Sequence, residues 1–209
     1  MQHTSNLANS VAGHEDRCSI VAEAGVNHNG QMELAHRLLD EASRCEVDAI
    51  KFQAFAAEEI VTGAVHKAPY QLAATGSAEG QLAMLKRLQL SADQHRELKD
   101  HCDRNRLTYL CTPYDHASAD LLLELGVDSV KIASTDVTNL PFLRHVARMN
   151  RPIMLSTGMS SLGEVEAAVC AIEAMGNRML CLLHCTAEYP APISEINLSA
   201  IETLRVAFG

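Results

Sequence analysis

Six short apolar runs, each closed by a polar or charged residue and followed by a stretch of helical periodicity, limit what this chain can fold into. They are SIVAE (Glu23), DAIKFQ (Lys51 and Gln53), TYLCT (Thr112), DSVKIAS (Lys131 and Ser134), PIMLST (Ser156 and Thr157) and LCLLHC (His184). We read strands near residues 19–24, 47–53, 107–112, 128–133, 152–156 and 179–184. Continuous apolar and β-branched character suits strands buried on both faces, which implies parallel pairing. Parallel strands surrounded by helices present their C-terminal ends to a common side, so functional groups are expected at those ends.

The intervening segments carry helix signals. MELAHRLLDEASRC follows Gly30, ADQHRELKDHCDRN follows an N-cap residue at Ser91, and GEVEAAVCAIEAMG follows Ser160 and Ser161 and stops at Gly176. The segment from Ala54 to Leu90 is too long for an ordinary connection. It is either a substrate-binding insertion at the end of a strand or a surface excursion with one short helix at QLAMLKRL. The class is α/β. Six such units fit a doubly wound sheet or most of a TIM (β/α)8-type barrel. A complete barrel takes about 250 residues, so the 209 here correspond to about six of eight units, incomplete at the C-terminus. Residues 1–17 read as a disordered polar leader and 18–209 as a partial barrel domain.

A formal charge of -9 and the lack of a Lys/Arg cluster argue against a general nucleic-acid or anionic-membrane binder. No apolar run reaches the roughly 20 residues of a spanning helix, and the first residues lack a signal-peptide pattern. The expected location is the cytoplasm. The seven cysteines are scattered and mostly flanked by apolar residues, so they are expected to be reduced.

Lys51 and Lys131 lie inside apolar strands, where an unpaired ammonium is costly to desolvate. Each needs an anionic partner, either a bound ligand or a neighbouring carboxylate such as Glu23 or Asp128. Thr112, Ser134, Ser156 and Thr157 add hydroxyls at strand ends, and TGMSS precedes a helix N-terminus that favours an anion. Lysines with hydroxyls suggest a phosphorylated substrate. Ser160 and Ser161 are read as helix caps. Glu23 stands before GVNHNG, whose Asn27, His28 and Asn29 supply hydrogen-bonding groups; His28 is also readable as a turn residue satisfied by backbone. His184, at a strand end before CTAEYPAP, could bind an anion or ligate a metal. Neither a GxGxxG nor a GxxxxGK[ST] motif occurs.

Taken together, AEAGVNHNG, DAIKFQAF, LCTPYD, VKIASTDVTNLPFL, MLSTGMSSLGEV and LLHCTAEYP, in this order, make residues 18–209 resemble the sialic-acid synthase family. Members condense phosphoenolpyruvate with an N-acyl mannosamine-type sugar. The wording of TAEYPAP and KAPYQLAATG is closer to the legionaminic-acid branch. The resemblance implies a (β/α)8 barrel in which Lys51, Thr112, Lys131, Ser134 and Ser156 bind the phosphate and carboxylate of phosphoenolpyruvate. Glu23 and Gln53 would contact the open-chain sugar or the attacking water, Tyr189 would line the sugar side, and Asn27 and His184 would join the substrate contacts. It further implies Mn2+ or Mg2+, a homodimer in the full-length form, and a C-terminal antifreeze-like domain in some members.

The family's metal histidines sit in SDHT-like and KHF-like motifs, and neither motif occurs here, so the metal ligands are expected beyond Gly209. Ala187 stands where many members carry Asn or Ser. This chain is therefore expected to be a truncated form without turnover by itself. The alternatives are another phosphoenolpyruvate-condensing aldose-phosphate synthase, or a non-catalytic barrel fragment that binds phosphoenolpyruvate or a full-length subunit.

Overall fold

A computed structural model describes residues 18–67, 72, 79–188 and 190–209. The expected leader, most of the KAPYQLAATG insertion and Tyr189 lie outside the described residues. The chain divides into two compact units, Ser19–Val127 and Asp128–Gly209.

The first unit is built on three parallel strands, β1 (Val21–Gly25), β2 (Ala49–Ala54) and β3 (Thr108–Pro113), with β2 in the middle. Its helices are α1 (Met32–Arg44), α2 (Ala57–Ile60), α3 (Gln81–Leu88), α4 (Ala92–Arg104) and α5 (His116–Glu124). Helix α1 buries Ala35, Leu39 and Ala42, and α4 buries His95, Leu98 and Cys102, each at the three- and four-residue spacing of one helical face. Phe52 of β2 stacks on Tyr109 of β3 with ring centroids 5.7 Å apart, an arrangement worth about 0.5–1.5 kcal/mol beyond area burial. Ser91 starts α4 with the expected cap, reinforced by a reciprocal bond from Gln94. The described part of the 54–90 segment packs on the unit: Phe55, Met84 and Leu88 form an apolar cluster with Val26, Ile60, Leu85 and Tyr114 against it.

The second unit repeats the plan with β4 (Val130–Ile132), β5 (Ile153–Ser156) and β6 (Leu180–Leu183), parallel and in sequence order, and α6 (Leu140–Ala147), α7 (Leu162–Glu173) and α8 (Ser199–Phe208). Ile132, Ile153 and Leu155 are fully buried, as are Phe142 and Val146 of α6 and Val165, Ala168 and Ile172 of α7. Ser134–Asp136 and Ile193–Glu195 form single 3-10 turns. All six expected strands are present, their ends within two residues of the expected ones, and the expected parallel α/β character holds in both sheets.

The candidate active site

At the C-terminal end of the first sheet, register places Glu23 beside Lys51 and Gln53 beside Thr112. The Lys51 ammonium forms an ion pair with the Glu23 carboxylate, and the lysine side chain is largely buried while the glutamate stays accessible. Glu23 is one of the anionic partners that the sequence allows for Lys51. An irregularity in the β1–β2 ladder between Glu23 and Gly25 turns the strand end here. Gly25 has φ +51°, and a Cβ on it would lie 3.1 Å from Glu23 Oε1 and 3.7 Å from Gln53 Nε2. Glycine therefore supplies both the left-handed turn and the room in which these two side chains approach. Thr112 is buried, and Asn27 is exposed on the loop beyond β1.

His28 of that loop is fully buried; its Nδ1 accepts from the Gly30 amide at 3.0 Å, a backbone bond of the kind the sequence allows, while its buried Nε2 has no hydrogen-bond partner among the described residues. Burial lowers its pKa. Asp115, which the sequence reading passed over, is buried at the end of β3. It accepts from the Ser118 amide at 2.7 Å and the Ala56 amide at 2.8 Å, tying the β2 exit to the start of α5. The signal was available in the LCTPYD wording, where Asp stands three residues before Ser118 as an N-cap.

In the second unit the strand ends gather Lys131, Ser156 and Cys185. Lys131 Nζ donates to the Ile132 carbonyl oxygen at 2.9 Å and to Ser156 Oγ. Ser156 Oγ in turn lies 3.2 Å from Cys185 Sγ. Because Ser156 accepts from the lysine, its own proton remains available to the thiol or to a ligand oxygen. Cys185 was not read from sequence as a site residue; it is found only once β5–β6 register sets Ser156 opposite Leu183. Thr157 is tied to the same strand, its amide and its Oγ1 both donating to the Leu183 carbonyl oxygen at 3.0 and 3.1 Å.

At Gly158 an added Cβ would meet the Cys185 carbonyl oxygen at 2.6 Å, so the β5–α7 loop can close on β6 only without a side chain there. Ser134 is partly exposed at the start of the first 3-10 turn, and Asp136 behind it has its pKa raised by burial against a bond from Asn139 Nδ2.

His184 Nε2 donates to the Ile196 carbonyl oxygen at 2.6 Å, so this ring nitrogen anchors the loop before α8, and His184 also lines the cavity described below. The α7 N-terminus is occupied by a capping box: Ser161 Oγ accepts from the Glu164 amide, and Glu164 Oε2 accepts from the Ser161 amide at 2.7 Å. Ser161 thus caps as read, but the anion at this helix start is the chain's own carboxylate. A cavity of about 770 Å3 opens beside these elements, lined by Thr157, Gly158, His184, Thr186, Glu188 and Asn197 among others. Among the described residues no group of three or more His, Cys, Asp or Glu side chains is placed to hold a metal ion, and all the cysteines described are free thiols.

Parallel α/β units with polar and charged residues at their strand ends define the class of α/β proteins that carry their functional groups at the C-terminal ends of the strands. Within that class the chain belongs to the NeuB family, whose sequence pattern matches residues 38–209. It is 46% identical over 191 residues to the N,N'-diacetyllegionaminic acid synthase of Campylobacter jejuni, covering 90% of this chain and 57% of that protein. It is 40% identical over 200 residues to the N,N'-diacetyllegionaminic acid synthase of Legionella pneumophila, covering 94% of this chain and 56% of that protein. Among solved structures, the N-acetylneuraminic acid (sialic acid) synthetase of Leptospira borgpetersenii, crystallised with citrate, superposes with a TM-score of 0.78 at 32% identity, covering 90% of this chain and 61% of that one. The chain spans little more than half the length of the curated relatives it matches.

Proposed function

We propose that this chain carries the phosphoenolpyruvate-binding part of a nonulosonic-acid synthase that acts on an N-acyl mannosamine-type sugar, with a legionaminic-type product favoured by the 46% and 40% relatives. The observation that carries it is the pair of strand-end lysines. Lys51 is held by Glu23, and Lys131 by a hydroxyl and a carbonyl, each inside a parallel sheet. Lys51 and Thr112 in one unit, and Lys131, Ser134 and Ser156 in the other, are assigned to the phosphate and carboxylate oxygens. Glu23, Gln53, Asn27 and Tyr189 are assigned to the sugar or the attacking water. The fold proposed is a (β/α)8-type barrel, of which these are six units.

In the reaction, carbon 3 of phosphoenolpyruvate forms a bond to the sugar carbonyl carbon, whose oxygen takes up a proton. Water adds at carbon 2 and gives up a proton, and phosphate leaves with its bridging oxygen. Lys131 and Ser156 would hold the departing phosphate oxygens by charge-assisted bonds, and Glu23 would orient the water or take its proton. A divalent metal, when bound, supplies Lewis-acid polarisation of the carbonyl. Among the described residues no three or more His, Cys, Asp or Glu side chains gather at these strand ends to hold one, and no step here runs through it. We place the protein in the cytoplasm, with a homodimeric full-length form.

Calorimetry with phosphoenolpyruvate tests the binding. Ser156→Ala is expected to weaken it about 10-fold or more, the equivalent of a lost bond to a charged group. Equal affinity in the wild type and Ser156→Ala, with both folded by circular dichroism, would remove the site. Sugar-dependent phosphate release tests turnover. We expect none from these 209 residues alone, and condensation in the presence of manganese would overturn that part.

A further inference from the structure

Helices α1 and α4 of the first unit carry a second constellation, away from the strand ends. His36 and Asp40 stand one turn apart on α1, and Glu97 and His101 one turn apart on α4. The Nδ1 atoms of His36 and His101 face each other at 2.7 Å. The outer nitrogen of each ring is taken by a carboxylate of the other helix: His36 Nε2 lies 2.7 Å from Glu97 Oε1, and His101 Nε2 lies 2.9 Å from Asp40 Oδ1. Both rings keep some solvent access, 24% for His36 and 19% for His101.

We infer that His36 and His101 form a two-histidine clasp for a divalent transition-metal ion, with both Nδ1 atoms as ligands and Glu97 and Asp40 as the carboxylates that orient the rings. Metal-binding histidines characteristically donate their second ring N–H to a carboxylate, which fixes the tautomer and raises the basicity of the ligating nitrogen. Here both rings are so held, and both remaining nitrogens converge on one point. Imidazole nitrogen suits copper, nickel and zinc. Two metal–nitrogen bonds of ~2.05 Å at a tetrahedral angle put the nitrogens roughly 3.3 Å apart. From 2.7 Å the rings need part by only about 0.6 Å, and water fills the other positions.

Calorimetric titration of tag-free protein with Zn2+ and with Cu2+ is the test. The wild type should bind one ion more than His36→Gln or His101→Gln and prefer Cu2+ to Zn2+. Glu97→Gln, which leaves both ligands and an uncharged acceptor in place, should weaken that site about 10- to 100-fold while the circular dichroism stays unchanged. Equal stoichiometry in the wild type and the histidine variants, or an unchanged affinity in Glu97→Gln, overturns the clasp and leaves an interhelical hydrogen-bond chain only. Neither result bears on phosphoenolpyruvate binding, which uses none of these residues.

Discussion

His95 shows how one buried side chain sets a pH response. It is 1% exposed, its Nδ1 lies 2.7 Å from the Tyr109 hydroxyl, and burial, with a smaller push from His28, brings its pKa down from 6.5 to about 4. The folded protein refuses a proton that the unfolded chain accepts. Stability from this group is therefore complete above pH 6.5 and is lost as pH falls toward about 4. The gap corresponds to roughly 3 kcal/mol, and buried His28, lowered for the same reason, acts with the same sign. Urea unfolding should show a lower midpoint at pH 5 than at pH 7, with His95→Gln flattening the difference; a wild-type midpoint independent of pH would sink the argument. None of this was legible in the sequence. His95 reads there as a polar residue on an amphipathic helix, and its burial follows only from the packing of α4 against Tyr109.

At the scale of elements, local signals were strong because each carries its own physics. Ser161 with Glu164 spells a capping box in the sequence and forms one in the structure, so Ser161→Ala should cost about 1 kcal/mol and lower the melting temperature by a few degrees. The same change at Ser160, outside the box, should do little; equal effects at both positions would contradict the assignment. Gly158→Ala makes a different prediction. Its Cβ would press on the Cys185 carbonyl oxygen, and β6 must shift or the loop must lift. Phosphoenolpyruvate affinity should fall with far-ultraviolet circular dichroism unchanged, because the loop carries no ladder of its own.

The strands were readable for a related reason. Runs such as PIMLS are apolar on both faces, and in DAIKFQ the polar Lys51 and Gln53 stand out on one face of the strand. Contacts set by register or helix packing were not readable: Ser156 to Cys185, His36 to His101, and His184 to the Ile196 carbonyl oxygen link positions that no local pattern relates.

For the molecule as a whole, the division of chemistry among residues predicts how it responds to solutes. The groups assigned to phosphoenolpyruvate are ammonium and hydroxyl donors, which bind oxyanions directly, and the described residues gather no trio of metal-ligating side chains among them. Phosphoenolpyruvate binding should therefore be unchanged, within about twofold, by a chelator such as EDTA. It should weaken as salt screens the lysine charges, and inorganic phosphate should compete for it. Under the proposed function, condensation would respond differently to the chelator, because a metal would serve the carbonyl step and the anion grip would not need one. Calorimetric titrations with and without EDTA, at low and moderate salt, separate the two. If EDTA abolished phosphoenolpyruvate binding, a metal would have to sit between protein and phosphate, and Lys51, Lys131 and Ser156 would lose their assigned role as the primary anion holders.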